Sequence, residues 1–152
     1  MDGVHAMTGK IEILNARVFP VDRRELFNAF ADPVRLAEWW GPDGFANTIT
    51  AFDLRPGGQW LITMTASNGT DFNNRWTFAD VVEDAFISAR HHEPIHDFTL
   101  DMTFRDAGQA ARLEWRMLID RTDENEELDR FLEAANEQNF DRLAAHLGCD
   151  QE

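Results

Sequence analysis

Residues 39–60 read Trp39-Trp40-Gly41-Pro42-Asp43-Gly44-Phe45, then a strand-like run, and then Asp53-Leu54-Arg55-Pro56-Gly57-Gly58-Gln59-Trp60. Glycine and proline adopt or impose backbone angles that other residues resist, so regular structure should stop at both breaks. Each tryptophan adds about 150–250 Å² of largely apolar surface. The stretch therefore predicts a joint between short helices and a curved sheet, with its aromatic side chains forming one wall of an apolar cavity.

The chain before this joint begins with an alternating segment. Residues 10–19 place Ile11, Ile13 and Asn15 on one face and Leu14 on the other. Alternation with a period of two indicates a half-buried strand. This is the first predicted strand, and residues 1–9 before it are expected to be flexible.

Two short helices should follow the first strand. Asp22 is a typical N-cap residue, and Glu25 three positions later completes the pattern of a capping box. Asp32-Pro33 repeats the signal, with aspartate as the cap and proline at the first helical position. The sequence therefore predicts helices at about 23–31 and 33–40.

Strand-like runs occupy most of the chain that follows. They cover residues 48–54, 59–66, 71–82, 86–92, 98–104 and 111–119. Their connections are too short for the crossovers that parallel neighbours need, so adjacent strands must be antiparallel. Together with the first strand they predict a seven-stranded antiparallel sheet.

The last element is the longest predicted helix. Apolar residues recur at helical spacing from Leu128 to Leu147, and acidic residues from Asp123 onward suit the positive end of a helix dipole. Gly148 is a typical stop. We therefore predict a helix over about 124–147, followed by a tail at 149–152.

Composition and charge limit the classes of protein that fit. The chain has 152 residues, 43% of them hydrophobic, which suits a single α+β domain with a substantial core over 10–148. Its formal net charge is −14, whereas nucleic acids and anionic membranes attract lysine and arginine. We therefore expect neither a nucleic acid nor a membrane as a partner.

Cysteine usage and hydropathy bear on the location of the protein. Cys149 is the single cysteine, so no intrachain disulfide can form. The sequence has no run of about 18 apolar residues, and residues 1–10 lack the apolar core of a signal peptide. A cytoplasmic protein is the expectation.

The order of elements and several motifs resemble the family named after the activator of heat-shock protein 90 ATPase, part of the START-like class that includes birch-pollen allergens and polyketide cyclases. The resemblance runs from about Arg17 to Leu147. It rests on Arg17, Phe19-Pro20, Glu25-Leu26-Phe27, Asp32-Pro33, Leu36, Trp39-Trp40-Gly41-Pro42, Phe45, Asp53-Leu54-Arg55-Pro56-Gly57-Gly58, Trp60 and Leu143-Ala144-Ala145-His146-Leu147. It implies a helix-grip fold, in which the sheet curls around the long C-terminal helix and leaves a cavity between them.

One position departs from that resemblance. The family pattern implies a glycine in the fourth strand before Asp80, where this chain has Trp76. A side chain of that size would fill part of the cavity. The resemblance brings no fixed catalytic residues, so none is carried over.

The inward stripes of the strands and one face of the long helix should line the cavity. The candidate ligand-binding residues are Trp60, Met64, Trp76, His91, Phe98, Met102, Trp115, Asn136, Asn139 and Phe140. The alternative for any one of them is plain core packing, because aromatic stripes usually fill cores. For the two asparagines the alternatives are bonds to sheet side chains or contact with a ligand or water, since a buried amide needs a partner.

Histidines at 91, 92 and 96 form the one cluster of titratable residues that suggests chemistry. His91 and His92 point to opposite faces of a strand, so they cannot easily share a metal ion, and no metal site or cofactor is predicted. His91 shares the inward parity, which would make it the best group for proton transfer. No complete catalytic set is visible.

Three functions remain open at this stage. A module that binds an apolar or aromatic small molecule in the predicted cavity ranks first. A co-chaperone-like domain that contacts a heat-shock ATPase ranks second, and a cyclase- or hydrolase-like enzyme ranks third. A homodimer also remains open. A cavity of about 300 Å³ or more would favour the first function.

Overall fold

The computed structural model describes residues 9–122 and 128–148. Its elements are β1 (Lys10–Phe19), α1 (Arg23–Ala31), α2 (Pro33–Trp39), β2 (Ala46–Phe52), β3 (Gln59–Thr65), β4 (Asp71–Val82), β5 (Phe86–Glu93), β6 (Phe98–Ala107), β7 (Ala110–Asp120) and α3 (Leu128–Leu147). This order confirms the predicted α+β helix-grip fold. The predicted start of the last helix at 124, the flexible N-terminus, the tail at 149–152 and Cys149 fall outside the described residues, apart from residue 9 of that N-terminus.

A seven-stranded sheet carries the fold, in the order β1-β7-β6-β5-β4-β3-β2. Every neighbouring pair is antiparallel, as the short connections require. β1 pairs with β7 from Lys10 opposite Asp120 to Phe19 opposite Ala111. β1 and β2 therefore form the two edges of the sheet, and α1 and α2 carry the chain from one edge to the other.

The alternation predicted for β1 is confirmed. Ile11, Ile13 and Asn15 are buried, whereas Leu14 is 60% exposed. The inward face of this edge strand meets α3, where the Arg17 guanidinium donates to Glu137 at 2.7 Å. A polar strand edge is thereby covered by a helix that supplies acceptors.

Side-chain caps begin both short helices where the sequence places them. Asp22 Oδ1 accepts from the Glu25 N–H at 2.8 Å, and Asp32 Oδ1 accepts from the Val34 N–H at 2.9 Å. The prediction of a full capping box is wrong, because the Glu25 carboxylate turns away from Asp22 and accepts from Arg35 at 2.9 Å. That ion pair joins α1 to α2 instead.

Both tryptophans at the joint are buried. Trp39 is 1% exposed, and its indole N–H donates to the Ala29 carbonyl at 3.1 Å. Trp40 packs edge-on against Trp60, with ring centroids 4.9 Å apart. The joint thus fastens the end of α2 to the inner face of the sheet.

The Pro-Gly-Gly segment is the predicted turn, but it begins earlier than expected. β2 ends at Phe52 rather than at residue 54, because the Asp53 carbonyl already accepts from the Arg55 N–H at 2.9 Å in a tight turn. Gly57 and Gly58 then bond to the backbone of Phe78 at 2.8 and 2.9 Å. The turn therefore extends the sheet beyond β3 and supports β4.

Candidate functional site

A cavity of about 460 Å³ lies between the sheet and α3. Strands β3 to β7, the 40–45 segment, the 94–96 loop and one face of α3 form its walls. Ile95 and Phe131 line it as well, and these side chains are 79% and 68% exposed. They therefore mark the mouth of the cavity, between the β5–β6 loop and α3.

Most of the residues predicted from the sequence meet at this cavity. Those that line it are Met64, Trp76, His91, Phe98, Trp115, Asn136 and Asn139. Period-two parity placed the strand residues correctly, and the 100° step of a helix placed the two asparagines.

Trp60, Met102 and Phe140 do not line it, which corrects the predicted lining. Trp60 and Met102 border a separate void of about 10 Å³ beneath α1 and α2. Phe140 is fully buried, with its ring centroid 4.9 Å from that of Trp115. Trp60 and Met102 point inward, but the inner face of the sheet is longer than the cavity, and the short helices cover the remainder. Phe140 lies on α3 and packs between Phe19 and Trp115 instead.

Trp76 points into the fold and forms part of the cavity wall. It is 3% exposed and stacks on Trp60, with centroids 4.8 Å apart and planes at 20°. Its indole nitrogen has no hydrogen-bond partner among the described residues. The ring centroids of Trp76 and Phe98 lie 5.5 Å apart in an edge-to-face arrangement. This geometry allows weak contacts between the edge of one ring and the face of the other. Trp76, which stands where the family pattern implies a glycine, thus narrows the cavity without closing it.

His91 has the inward orientation that its parity predicts, and it is 4% exposed. Its Nδ1 lies 2.7 Å from the His96 carbonyl oxygen, and its Nε2 lies 2.6 Å from Oδ1 of Asn74. The two acceptors favour a charged ring, but burial is the larger effect and lowers the pKa of His91. Since both nitrogens are held by the protein, the ring offers neither to a bound molecule for proton transfer.

His92 lies on the other side of the strand, as predicted. Its Nε2 is 2.8 Å from Oγ1 of Thr77. Within residues 9–122 and 128–148, no group of three His, Cys, Asp or Glu side chains is placed to hold a metal ion. None of the described helices combines the length and the apolar character needed to cross a membrane.

Arg142 is the most important residue that the sequence analysis missed. Its Nη1 donates to the carbonyls of Trp40, Gly41 and Pro42 at 3.0, 3.1 and 2.8 Å, and its Nη2 donates to Phe45 at 2.9 Å. Burial lowers the pKa of Arg142, yet an arginine stays charged in proteins. The guanidinium therefore anchors the 40–45 segment to α3.

Two neighbours of Arg142 on α3 bind the same segment. Asn139 Oδ1 accepts from the Gly41 N–H at 3.2 Å, and Gln138 Oε1 accepts from the Asp43 N–H at 3.1 Å. Positions 138, 139 and 142 share one helix face, because residues three and four apart are neighbours on a helix. That shared polar face was the available signal, but the sequence could not show which backbone groups it would meet.

Asn136 belongs to a polar network at the other side of the cavity. Its Nδ2 donates to Asn15 Oδ1 at 3.0 Å. The Asn15 amide group in turn donates to the Glu133 carbonyl and the Glu137 carboxylate, at 3.2 and 2.8 Å. Asn136 therefore bonds to a sheet side chain, as one of the two alternatives predicted, whereas Asn139 bonds to the backbone of the 40–45 segment, and both residues line the cavity.

A seven-stranded antiparallel sheet that grips a long C-terminal helix around a cavity defines the START-like class of proteins. Residues 20–148 match the family model of the activator of Hsp90 ATPase homolog 1-like protein. The chain therefore belongs to this family.

Solved structures share the fold at low sequence identity. A protein of Chromobacterium violaceum is 23% identical with a TM-score of 0.76, and the match covers 88% of this chain and 94% of the other. A protein of Arthrobacter aurescens is 16% identical, with a TM-score of 0.81 and coverage of 90% and 86%. An AHSA1 protein of Silicibacter pomeroyi is 20% identical, with a TM-score of 0.74 and coverage of 91% and 98%. No curated protein matches the chain.

Proposed function

We propose that this protein is a binding module that takes an apolar or aromatic small molecule into the cavity between the sheet and α3. The observation that carries the proposal is the volume of about 460 Å³, inside the range of about 300–1,000 Å³ that is typical of ligand pockets. The wall is mainly aromatic and aliphatic, with a few amide groups. Such a lining suits a largely apolar ligand held by a small number of polar contacts.

The inward histidine, His91, does not add acid–base chemistry to this function. General acid–base catalysis needs a titratable group within reach of the reacting proton. The His91 nitrogens are already engaged by Asn74 and His96. The cyclase- or hydrolase-like alternative therefore lacks support from the inward histidine that favoured it.

A co-chaperone-like role is the remaining alternative, and the name of the family supports it. In that role, the added protein would raise the turnover of a heat-shock ATPase. The cavity favours ligand binding, because a domain that acts only through its surface gains nothing from an internal space of this size.

A thermal-shift screen against a library of apolar metabolites tests the proposal. A ligand that binds only the folded state stabilises it by about 2.7 kcal/mol at 100 times its dissociation constant. The control is a plugged variant, Ala135→Trp, since Ala135 lines the cavity. Ala145→Trp is its match, because Ala145 is exposed on the same helix and outside the lining.

Hits should stabilise the parent protein and Ala145→Trp but not Ala135→Trp. Hits that stabilise all three proteins equally would place binding elsewhere on the molecule and contradict the proposal. A screen without any hit would move the preference to the co-chaperone-like role.

A further inference from the structure

Two amides of α3 face the cavity one helical turn apart. Asn136 and Asn139 are 6% and 5% exposed, and both line the cavity. Residues three apart on a helix are neighbours, with about 5–6 Å between their Cβ atoms. A single functional group of a bound molecule can therefore reach both amides.

The hydrogen bond to Gly41 determines which end of the Asn139 amide faces the cavity. A backbone N–H can only donate, so the atom that meets Gly41 at 3.2 Å must be the amide oxygen. The NH₂ group therefore points the other way. Its nitrogen has no hydrogen-bond partner among the described residues, and the protein does not enclose it completely. Asn139 presents a donor to the cavity.

The network around Asn15 determines the orientation of Asn136 in the same manner. The Asn15 NH₂ group lies between two acceptors, the Glu133 carbonyl and the Glu137 carboxylate. Asn15 must therefore turn its oxygen toward Asn136, which donates to it. The Asn136 oxygen is left without a described partner and is not fully enclosed. Asn136 presents an acceptor to the cavity.

His91 and His96 are the titratable residues of the wall among the described residues. Among the described residues, no Asp, Glu, Lys or Arg side chain lines the cavity. His91 bonds to the protein through both nitrogens. The whole chain has a net charge of −14, which further disfavours an anion. An ionised group without a partner costs far more to bury than a hydroxyl or an amide that finds one.

We infer that the cavity selects an uncharged ligand whose apolar body carries one group that both donates and accepts hydrogen bonds, a hydroxyl or a primary carboxamide, seated between Asn136 and Asn139. The acceptor of that group meets the Asn139 NH₂ group, and its donor meets the Asn136 oxygen. The inference rests on the proposed function and names the class of ligand for the same cavity.

A series of naphthalenes of similar size tests the inference. Affinities for a naphthol, a naphthamide, naphthalene and a naphthoate are measured at neutral pH by displacement of the neutral fluorescent probe N-phenylnaphthylamine. The naphthol and the naphthamide should each bind about three- to tenfold more tightly than naphthalene, as expected for one or two net hydrogen bonds. The naphthoate should bind more weakly than naphthalene.

The variant Asn139→Asp inverts the polarity at one of the two positions. An aspartate keeps an oxygen for the Gly41 N–H and replaces the cavity donor with a carboxylate oxygen. Naphthylmethylammonium should therefore bind this variant about tenfold more tightly than it binds the parent. The matched control is Asn28→Asp, which adds the same charge at an exposed position of α1. Circular dichroism of both variants reports whether the fold is intact.

The outcomes separate this inference from the proposed function. Equal affinities for all four naphthalenes would overturn the inference and leave a ligand-binding cavity standing. An ammonium affinity that rises no more in Asn139→Asp than in Asn28→Asp would also overturn it. If no ligand binds, naphthalene included, the proposed function fails and the inference fails with it. Should Asn139→Asp not fold, the ranking of the four ligands by the parent decides alone.

Discussion

At the scale of single residues, Gly58 shows how little room the Pro-Gly-Gly turn leaves. A Cβ placed on Gly58 would lie 1.9 Å from the Asp53 carbonyl oxygen, far inside van der Waals contact. At Gly57 nothing lies within 4 Å of such a Cβ, but the φ angle of 84° is one that side chains disfavour. Adjacent glycines are thus required for two different reasons.

We predict that Gly58→Ala destabilises the protein more than Gly57→Ala. The left-handed conformation at Gly57 should cost alanine about 1–2 kcal/mol. At Gly58 the turn itself must move, which should cost about 3 kcal/mol or more. Urea unfolding of both variants provides the comparison. A smaller loss of unfolding free energy in Gly58→Ala than in Gly57→Ala would show that the turn yields easily.

The sequence predicted correctly which way the strand tryptophans point, but not where each one lies along the inner face of the sheet. Parity placed Trp76, Trp115 and Trp60 on the inner face, and all three are buried there. It could not separate Trp60 from the cavity wall, because parity describes a face and not which part of it another element covers. That division depends on how α1 and α2 pack, which is a long-range property of the fold.

At the scale of elements, the cavity depends on how α3 holds the 40–45 segment. Arg142 donates to four carbonyl groups of that segment. Gly41, which this segment contains, has a φ of 96° and exposes its backbone to α3. One guanidinium therefore replaces the regular backbone bonds that a loop of this shape cannot make.

We predict that Arg142→Met loosens one wall of the cavity. The change leaves four carbonyls without this donor, so the free energy of unfolding should fall by about 1–3 kcal/mol. Amide hydrogen exchange of residues 40–45 should accelerate selectively. Arg130→Met is the control, since Arg130 is exposed on the same helix. Equal exchange of residues 40–45 in both variants would contradict the role assigned to Arg142.

The periodicity of α3 predicted the helix and its inward asparagines but not this role. Helical spacing shows that Gln138, Asn139 and Arg142 share a face. It does not show that the face meets a loop of free carbonyls, because that loop is about a hundred residues away in sequence. Local patterns thus predict elements well and the contacts between distant elements poorly.

At the scale of the whole molecule, stability should depend on pH through two histidines, the buried His91 and the partly buried His146. Burial lowers the pKa of His91 and of His146 from the usual 6.5. The geometry at His146 agrees, because its Nε2 accepts a hydrogen bond from Arg35 at 3.1 Å and must be unprotonated to do so. The charges of His92, His96 and Asp97 also act on the pKa of His91, and those of Arg35, Glu25 and Glu38 act on the pKa of His146.

We predict that the free energy of unfolding falls as the pH is lowered from about 7 to about 5. As the pH falls, these histidines take up protons near pH 6.5 in the unfolded chain and only at lower pH in the folded protein, so acid favours the unfolded state. The stabilising contribution is fully present above about pH 6.5. Urea unfolding across this range should show a shallower pH dependence for His146→Gln than for the parent. An equal slope in both proteins would exclude a contribution from His146.

Trp76 provides the most direct test of whether the molecule carries a ligand in its cavity. Trp76→Gly removes a side chain from the cavity wall, whereas Trp60→Gly removes its stacked neighbour from outside that wall. The measurement is a titration of the parent and both variants with N-phenylnaphthylamine, after circular dichroism has shown that each is folded. We predict saturable binding by the parent and an altered affinity in Trp76→Gly alone. Equal binding by the parent and Trp76→Gly, or no binding by either, would contradict the claim and favour a protein partner.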